Sequence, residues 1–257
     1  MTTGRLAVVG LGPGTAEWRV PQASDRLARA TDLVGYGPYL RLVGDLDGQP
    51  VLHEFDNREE EQRARFALEL AASGRDVVLV SSGDPGVFAM ATAVVEELDR
   101  AGPGRYDTVE VTIIPGVTAA SGAAARVGAP LGHDFCCISL SDVLKPWSVV
   151  EGRLEAVGGA DLVVALYNPV SRHRPWQLTR AIEILRAHRP PSTPVVLARN
   201  VGRDGEETSV TTLDAFDDTL ADMRTVVIVG SSTTRSFGDG HDRTWVYTPR
   251  CYPVGPS

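Results

Sequence analysis

Between Asp161 and Leu178 the chain reads DLVVALYNPVSRHRPWQL. An apolar, strand-like run ends in Tyr167, Asn168 and Pro169, and Ser171, Arg172, His173, Arg174 and Gln177 follow before a new helical pattern. A phenol, an imidazole, two amides and two guanidinium groups in so short a stretch can hydrogen-bond a ligand, move a proton and hold an anion. Open α/β folds place ligands at the carboxyl ends of their strands, so this segment points to a site for an anionic small molecule. In an extended turn Arg172 and Arg174, two residues apart, would point the same way and could clamp two carboxylates. A solvated surface turn is the alternative reading of the same charges. Lys145 is the single lysine of the chain, so any basic patch is built of arginine, which grips carboxylates bidentately.

Strands and helices alternate around this segment. Apolar runs recur at Leu6 to Val9, Val77 to Val80, Val109 to Ile114, Cys136 to Leu140, Leu162 to Tyr167, Val195 to Ala198 and Val226 to Val229. Helical patterns lie between them, at Asn57 to Ala72, Val87 to Leu98, Thr118 to Val127, Trp147 to Val157 and Pro175 to His188, the last with proline at a first helical position. The alternation predicts a largely parallel, doubly wound sheet, with some antiparallel pairing around Thr208 to Thr212 and Val226 to Val229, which a short acidic helix (Asp214 to Leu220) separates. A domain boundary is placed at 116/117, dividing residues 1–116 from 117–257. Residues from Phe237 onward lack periodicity and read as an irregular tail.

Composition narrows the function. A chain of 257 residues with 43% hydrophobic content can bury a sizeable core. A formal net charge of −8 argues against nucleic acid as a partner. No apolar run approaches the roughly 20 residues that span a bilayer, and a cytoplasmic location is expected. Three cysteines, two of them adjacent, fit neither a disulfide framework nor a zinc spacing, and read as small buried hydrophobes. No histidine and carboxylate cluster has metal-ligand spacing, so no metal is expected.

Three glycine-proline turns each follow a strand: Gly10-Leu11-Gly12-Pro13-Gly14, Ser82-Gly83-Asp84-Pro85-Gly86-Val87-Phe88, and Pro115-Gly116-Val117-Thr118-Ala119-Ala120. The first lacks the G-x-G-x-x-G register of a dinucleotide fingerprint. Asp84 suits either a ligand contact or a cap for the next helix. Taken together, three such turns would converge on one edge of a parallel sheet.

In their order and spacing these turns resemble the motifs of the S-adenosylmethionine-dependent tetrapyrrole methyltransferases of cobalamin and sirohaem biosynthesis, over nearly the whole chain from Leu6 to about Phe237. GYGPYL (Gly35 to Leu40), ISLSD (Ile138 to Asp142) followed by Pro146 and Trp147, LYNP with SRHR and QL (Leu166 to Leu178), and ARNVGRDGE (Ala198 to Glu206) look most like the members that methylate a precorrin at carbon 17 with contraction of the macrocycle. The resemblance implies two α/β domains, an N-terminal largely parallel sheet and a C-terminal mixed sheet, an active site in the cleft between them, and a homodimer. It implies S-adenosylmethionine beside Pro13, Ser82, Gly83, Asp84, Val87, Thr118, Ala119, Asn168 and Asn200, and the tetrapyrrole beside Gly12 and Tyr36. With that substrate class the clamp reading of Arg172 and Arg174 is preferred. Asp142, His173 and Tyr167 are the acid and base candidates for proton movement during ring contraction.

Overall fold

The computed structural model describes residues 3–241 and 243–252, which divide by their contacts into two units, Met1–Ala119 and Ala120–Ser257. The first unit holds strands β1 (Gly4–Gly10), β2 (Asp32–Tyr36), β3 (Val51–Phe55), β4 (Asp76–Ser81) and β5 (Val109–Ile114). Helices α1 (Pro21–Arg29), α2 (Gly37–Val43), α3 (Glu60–Ala72) and α4 (Met90–Ala101) alternate with them. The five strands form one sheet in the order β3-β2-β4-β1-β5, and every pairing is parallel.

Strand periodicity explains the layering. Along β1, Leu6 and Val8 face one core with Val77 and Leu79 of β4, under α3 and α4. Ala7 and Val9 face the other with Val78 and Val80, under α1 and α2. Buried on both faces, the central strands must be continuously apolar, which is why LAVV and VVLV stand out in the sequence. Elements β2, β3, α1 and α2 carried no such signal. The edge strand β3 buries none of its residues fully, β2 opens on a charged Asp32 and contains Gly35, and α1 buries only Ala23 and Leu27.

Helix α5 (Ala119–Val127) leads into the second unit, which contains β6 (Gly128–Ala129), β7 (Phe135–Ser139), α6 (Trp147–Gly159), β8 (Val163–Tyr167), α7 (Gln177–Arg186), β9 (Pro194–Arg199), β10 (Glu207–Thr212), β11 (Thr225–Val229), β12 (Arg235–Gly238) and β13 (Thr244–Tyr247). Its main sheet runs β10-β9-β11-β8-β7. Strands β7 and β8 are parallel, while β11 is antiparallel to both β8 and β9, and β10 is antiparallel to β9. The sheet is therefore mixed, and the carboxyl ends of β7, β8 and β9 share one edge. Helices α6 and α7 cover one face through Val150, Leu154, Leu178, Ile182 and Leu185.

Three expectations need correction. Thr208 to Thr212 and Val226 to Val229 do pair antiparallel, as expected, but each with β9, which lies between them, rather than with each other, and the acidic stretch forms only a single 3-10 turn, Asp218–Leu220. Pro175 precedes α7, whose N-cap is Trp176. The segment after Phe237 is not an irregular tail: β12 and β13 form a hairpin, and β13 pairs in parallel with β6. Four-residue strands are too short to show a period, and the buried Val246 and Thr248 bind this hairpin to distant chain, with Thr248 Oγ1 donating to the Pro130 carbonyl at 2.6 Å. Residues 253–257 of that tail lie outside the described residues.

Candidate functional site

In the first unit the three glycine-proline turns sit at the carboxyl ends of the adjacent strands β4, β1 and β5, and they interlock. Leu11 N–H donates to the Ser81 carbonyl at 2.9 Å, and Gly12 and Gly83 exchange backbone hydrogen bonds of 3.1 and 2.8 Å in an isolated antiparallel bridge. Both glycines have left-handed backbones, φ 74° and 67°, which side chains with a Cβ adopt at a cost. A Cβ on Gly10 would lie 2.7 Å from both the Gly116 nitrogen and the Gly83 oxygen, so the three turns approach more closely than any larger residue allows. Asp84 ties them further. Its Oδ1 accepts from Gly86 N–H at 2.8 Å and its Oδ2 from Gly116 N–H at 3.0 Å, joining the second turn to the third. Asp84 thus does not cap α4, whose N-cap is Ala89.

The remaining first-unit candidates lie around this rim. Pro13 and Gly12 are buried beside the bridge, Ser82, Val87, Thr118 and Ala119 are half-buried, and Gly83 faces Thr118 and Ala119, which a Cβ there would meet at 3.8 and 3.9 Å. Tyr36 ends β2 at the same edge of the sheet and packs edge-on against Tyr39, with ring centroids 5.2 Å apart.

In the second unit Asn168 and Asn200 follow β8 and β9, both with left-handed backbones, φ 53° and 51°, a conformation asparagine tolerates. Asn168 Nδ2 donates to Ser139 Oγ at the end of β7 (3.0 Å), and buried Asn200 donates from Nδ2 to the Gly205 carbonyl (3.3 Å). Tyr167 Oη accepts from Ala120 N–H at 2.9 Å. Asp142 Oδ2 accepts from Gln177 Nε2 at 3.0 Å. Gln177 is buried, and because its Oε1 accepts from Trp176 N–H, its amide nitrogen must face the carboxylate.

Arg172 and Arg174 do not point together. Ser171 and Arg174 exchange backbone hydrogen bonds of 3.1 and 3.0 Å, which closes a tight turn and leaves Arg172 and His173 exposed at its tip. Alternation along an extended chain does not apply to such a turn. Arg174 is only 8% exposed, and its Nη1 donates to the Asn168 carbonyl at 2.7 Å while Nη2 reaches Met223 Sδ at 3.3 Å. It holds the Asn168 turn and cannot serve as the second jaw of a clamp. Burial pushes its guanidinium pKa below the usual range, against the opposing pull of Asp142.

Lys145 donates to the Ser141 carbonyl at 2.9 Å, and burial, reinforced by Arg153 and Arg174, lowers its pKa despite Asp142 nearby. Cys136 and Cys137 are half-buried; burial, with Cys137 beside it, pushes the Cys136 thiol up to about 11, so it stays protonated at neutral pH. Among the described residues no three His, Cys, Asp or Glu side chains converge to hold a metal ion.

Sequence reasoning missed Arg189. Its buried guanidinium donates to the carbonyls of Gly158 (2.6 Å), Leu162 (2.9 Å), Val157 (3.2 Å) and Gly230 (3.3 Å) and pairs with Asp161 at 3.0 Å. Nothing local signals it, because its partners lie far off in the sequence, at the end of α6, in the connection to β8 and just after β11.

Comparison with known proteins places this geometry. The family model described as Tetrapyrrole (Corrin/Porphyrin) Methylases matches residues 5–217. The chain is 50% identical over 250 residues to a Sinorhizobium protein named precorrin-3B C(17)-methyltransferase, covering 97% of this chain and 98% of that protein. It is 52% identical over 258 residues to the cobalamin biosynthesis protein CobIJ of Mycobacterium tuberculosis, covering 98% of this chain but 49% of the relative, so it spans about half that protein's length. The crystal structure of the methyltransferase CobJ superposes with a TM-score of 0.89 at 49% identity, covering 96% of this chain and 100% of that one. A uroporphyrin-III C-methyltransferase from Thermus thermophilus, solved in complex with S-adenosylhomocysteine, shares the fold, with a TM-score of 0.64 at 22% identity over 88% of this chain and 92% of its own. No helix among the described residues is long and apolar enough to cross a membrane. With its family model matching most of its length, the chain belongs to the tetrapyrrole (corrin/porphyrin) methylases.

Proposed function

We propose that the chain transfers a methyl group from S-adenosylmethionine to carbon 17 of precorrin-3B, with contraction of the macrocycle to precorrin-4 in cobalamin biosynthesis, leaving S-adenosylhomocysteine. The observation that carries this reading is the interlocked rim of Gly10, Gly12, Gly83 and Gly116, stitched by Asp84 at the carboxyl edge of a parallel sheet. Such a rim presents backbone rather than bulk, which suits an adenosyl donor that has no phosphate and needs carbonyls and amides around it. Pro13, Ser82, Gly83, Asp84, Val87, Thr118 and Ala119 would hold the donor, with Asn168 and Asn200 toward its adenosine. Bound there, the donor supplies an electrophilic methyl on a sulfonium.

The chain's own contribution is positioning. Holding the two reacting centres about 3 to 3.5 Å apart supplies several kcal/mol without a covalent intermediate. Gly12 and Tyr36 would face the macrocycle, and the exposed guanidinium of Arg172 would meet one of its carboxylates. Arg174 takes the positioning part, fixing the turn that carries Asn168. Asp142, held by Gln177, is the proton-transfer group best placed by its hydrogen bond, with His173 and Tyr167 as alternates. Two domains, 1–116 and 117–257, a homodimer, a cytoplasmic location and the absence of a nucleic-acid partner belong to the same reading.

Incubating the purified chain with precorrin-3B and methyl-labelled S-adenosylmethionine, with the cobalt-containing precorrin-3 in parallel, tests it. One labelled methyl and a changed optical spectrum are expected from the metal-free substrate; a metal-free product without label would end the proposal, and label in the cobalt product alone would assign the activity to the cobalt-containing precorrin instead.

A further inference from the structure

Five described non-glycine residues adopt positive φ: Gln49, Phe88, Asp161, Asn168 and Asn200. Asparagine and aspartate accept the left-handed region because a short polar side chain can bond its own surroundings, as Asp161 does to Ser232 and Arg189. Gln49 sits in the exposed connection before β3. Phe88 is different. At φ 54° a bulky aromatic carries backbone strain, and the residue is also 51% exposed, so its side chain is not a buried core group.

The turn around it shows what imposes the strain. The Asp84 carboxylate fixes Gly86, Val87 N–H donates to the Asp84 carbonyl at 3.3 Å, and Ala91 N–H donates to the Pro85 carbonyl at 2.8 Å. Residues 84–87 and 91 are thus pinned, and the chain must reverse at Phe88 to enter α4. Glycine or asparagine would make that reversal with less strain. A strained, half-exposed aromatic on the very turn that builds the rim is the kind of outlier that accompanies ligand contact.

We propose that the Phe88 ring is a specificity-determining wall against the flat, apolar face of the tetrapyrrole, an inference that rests on the substrate class proposed above. A corrin precursor carries its carboxylates at the periphery and presents a broad conjugated or partly reduced face, against which an aromatic ring can lie without meeting charge. The neighbouring small residues Gly83 and Gly86 leave room for the donor, whereas the ring adds surface for the macrocycle.

The test uses the full chain with Phe88→Gly, Phe88→Asn and Phe88→Tyr. Macrocycle affinity is read by absorbance titration with precorrin-3B, donor affinity by calorimetry with S-adenosylhomocysteine, and stability by thermal melting. The glycine and asparagine variants should melt at or above the wild-type temperature, keep their donor affinity and bind the macrocycle about tenfold more weakly or worse; tyrosine should restore it. Lower melting with unchanged macrocycle affinity would make the ring a packing element and overturn the proposal. An equal loss of donor affinity would place the ring on the donor and overturn it as well. Wild-type protein that binds precorrin-3B without methylating it would defeat the proposed activity while leaving the ring's role measurable, and wild-type protein that fails to bind it would defeat both.

Discussion

Arginine spacing alone could not distinguish a clamp from its support. Arg172 stands exposed at the tip of a closed turn, and Arg174 is turned inward onto the Asn168 carbonyl. Replacing Arg172 with alanine should leave the melting temperature unchanged and raise the Michaelis constant for the tetrapyrrole. Arg174→Ala should destabilise the chain by about 2 kcal/mol, since it removes a buried side chain and leaves the half-buried Asn168 carbonyl without its charged donor. Thermal melting and steady-state kinetics on the two single variants separate these effects, and equal kinetic losses with equal stability would restore the clamp. The residue types of this segment were legible as chemistry; the direction of each side chain was not, because one backbone bridge between Ser171 and Arg174 decides it.

At the scale of elements, the opposite edge of the parallel sheet carries its own polar tie. Asp32 opens β2 as a buried carboxylate that accepts from Arg75 Nε at 2.7 Å and Thr31 Oγ1 at 2.7 Å and contacts His53 Nε2 at 2.9 Å, linking β2 to β3 and to the start of β4. Burial pushes its pKa up, but the hydrogen bonds from Arg75, His53 and Thr31 outweigh this and hold it below the ordinary carboxylate range. A carboxyl depressed in the folded state contributes stability that is complete above the unfolded pKa, near 4, and is lost as pH falls through the lower folded value. Urea midpoints should therefore drop between pH 5 and pH 2 (roughly, by that linkage), and Asp32→Asn should cost about 3 kcal/mol at neutral pH while flattening the acid slope. An unchanged slope in the variant would show that other carboxylates govern acid unfolding. The apolar central strands announced themselves by burial on both faces, whereas β2 is specified by this tie and by pairing with β4, and β3 by the tie and by pairing with β2, which no window of local sequence contains.

For the whole molecule, a donor that binds only the folded chain must raise its melting temperature. S-adenosylhomocysteine at about one hundred times its dissociation constant should add about 2.7 kcal/mol, or roughly 5 to 10 °C for a chain of this size. A flat melting curve across that titration would remove the adenosyl ligand from the proposed site. The amino-acid sequence by itself determined the alternation of strands and helices, the apolar interiors of both main sheets, and the three glycine-proline turns, because burial periodicity and the backbone limits of glycine and proline act over a few residues. Tertiary structure alone decided that Gly10, Gly83 and Gly116 pack into one rim, that Asp84 spends both oxygens joining two turns, that Arg174 and Arg189 face inward, and that the C-terminal hairpin pairs with β6. Each of these is a contact between groups far apart in the chain or on opposite sides of a turn, where local preference is silent and the partner's position sets the outcome.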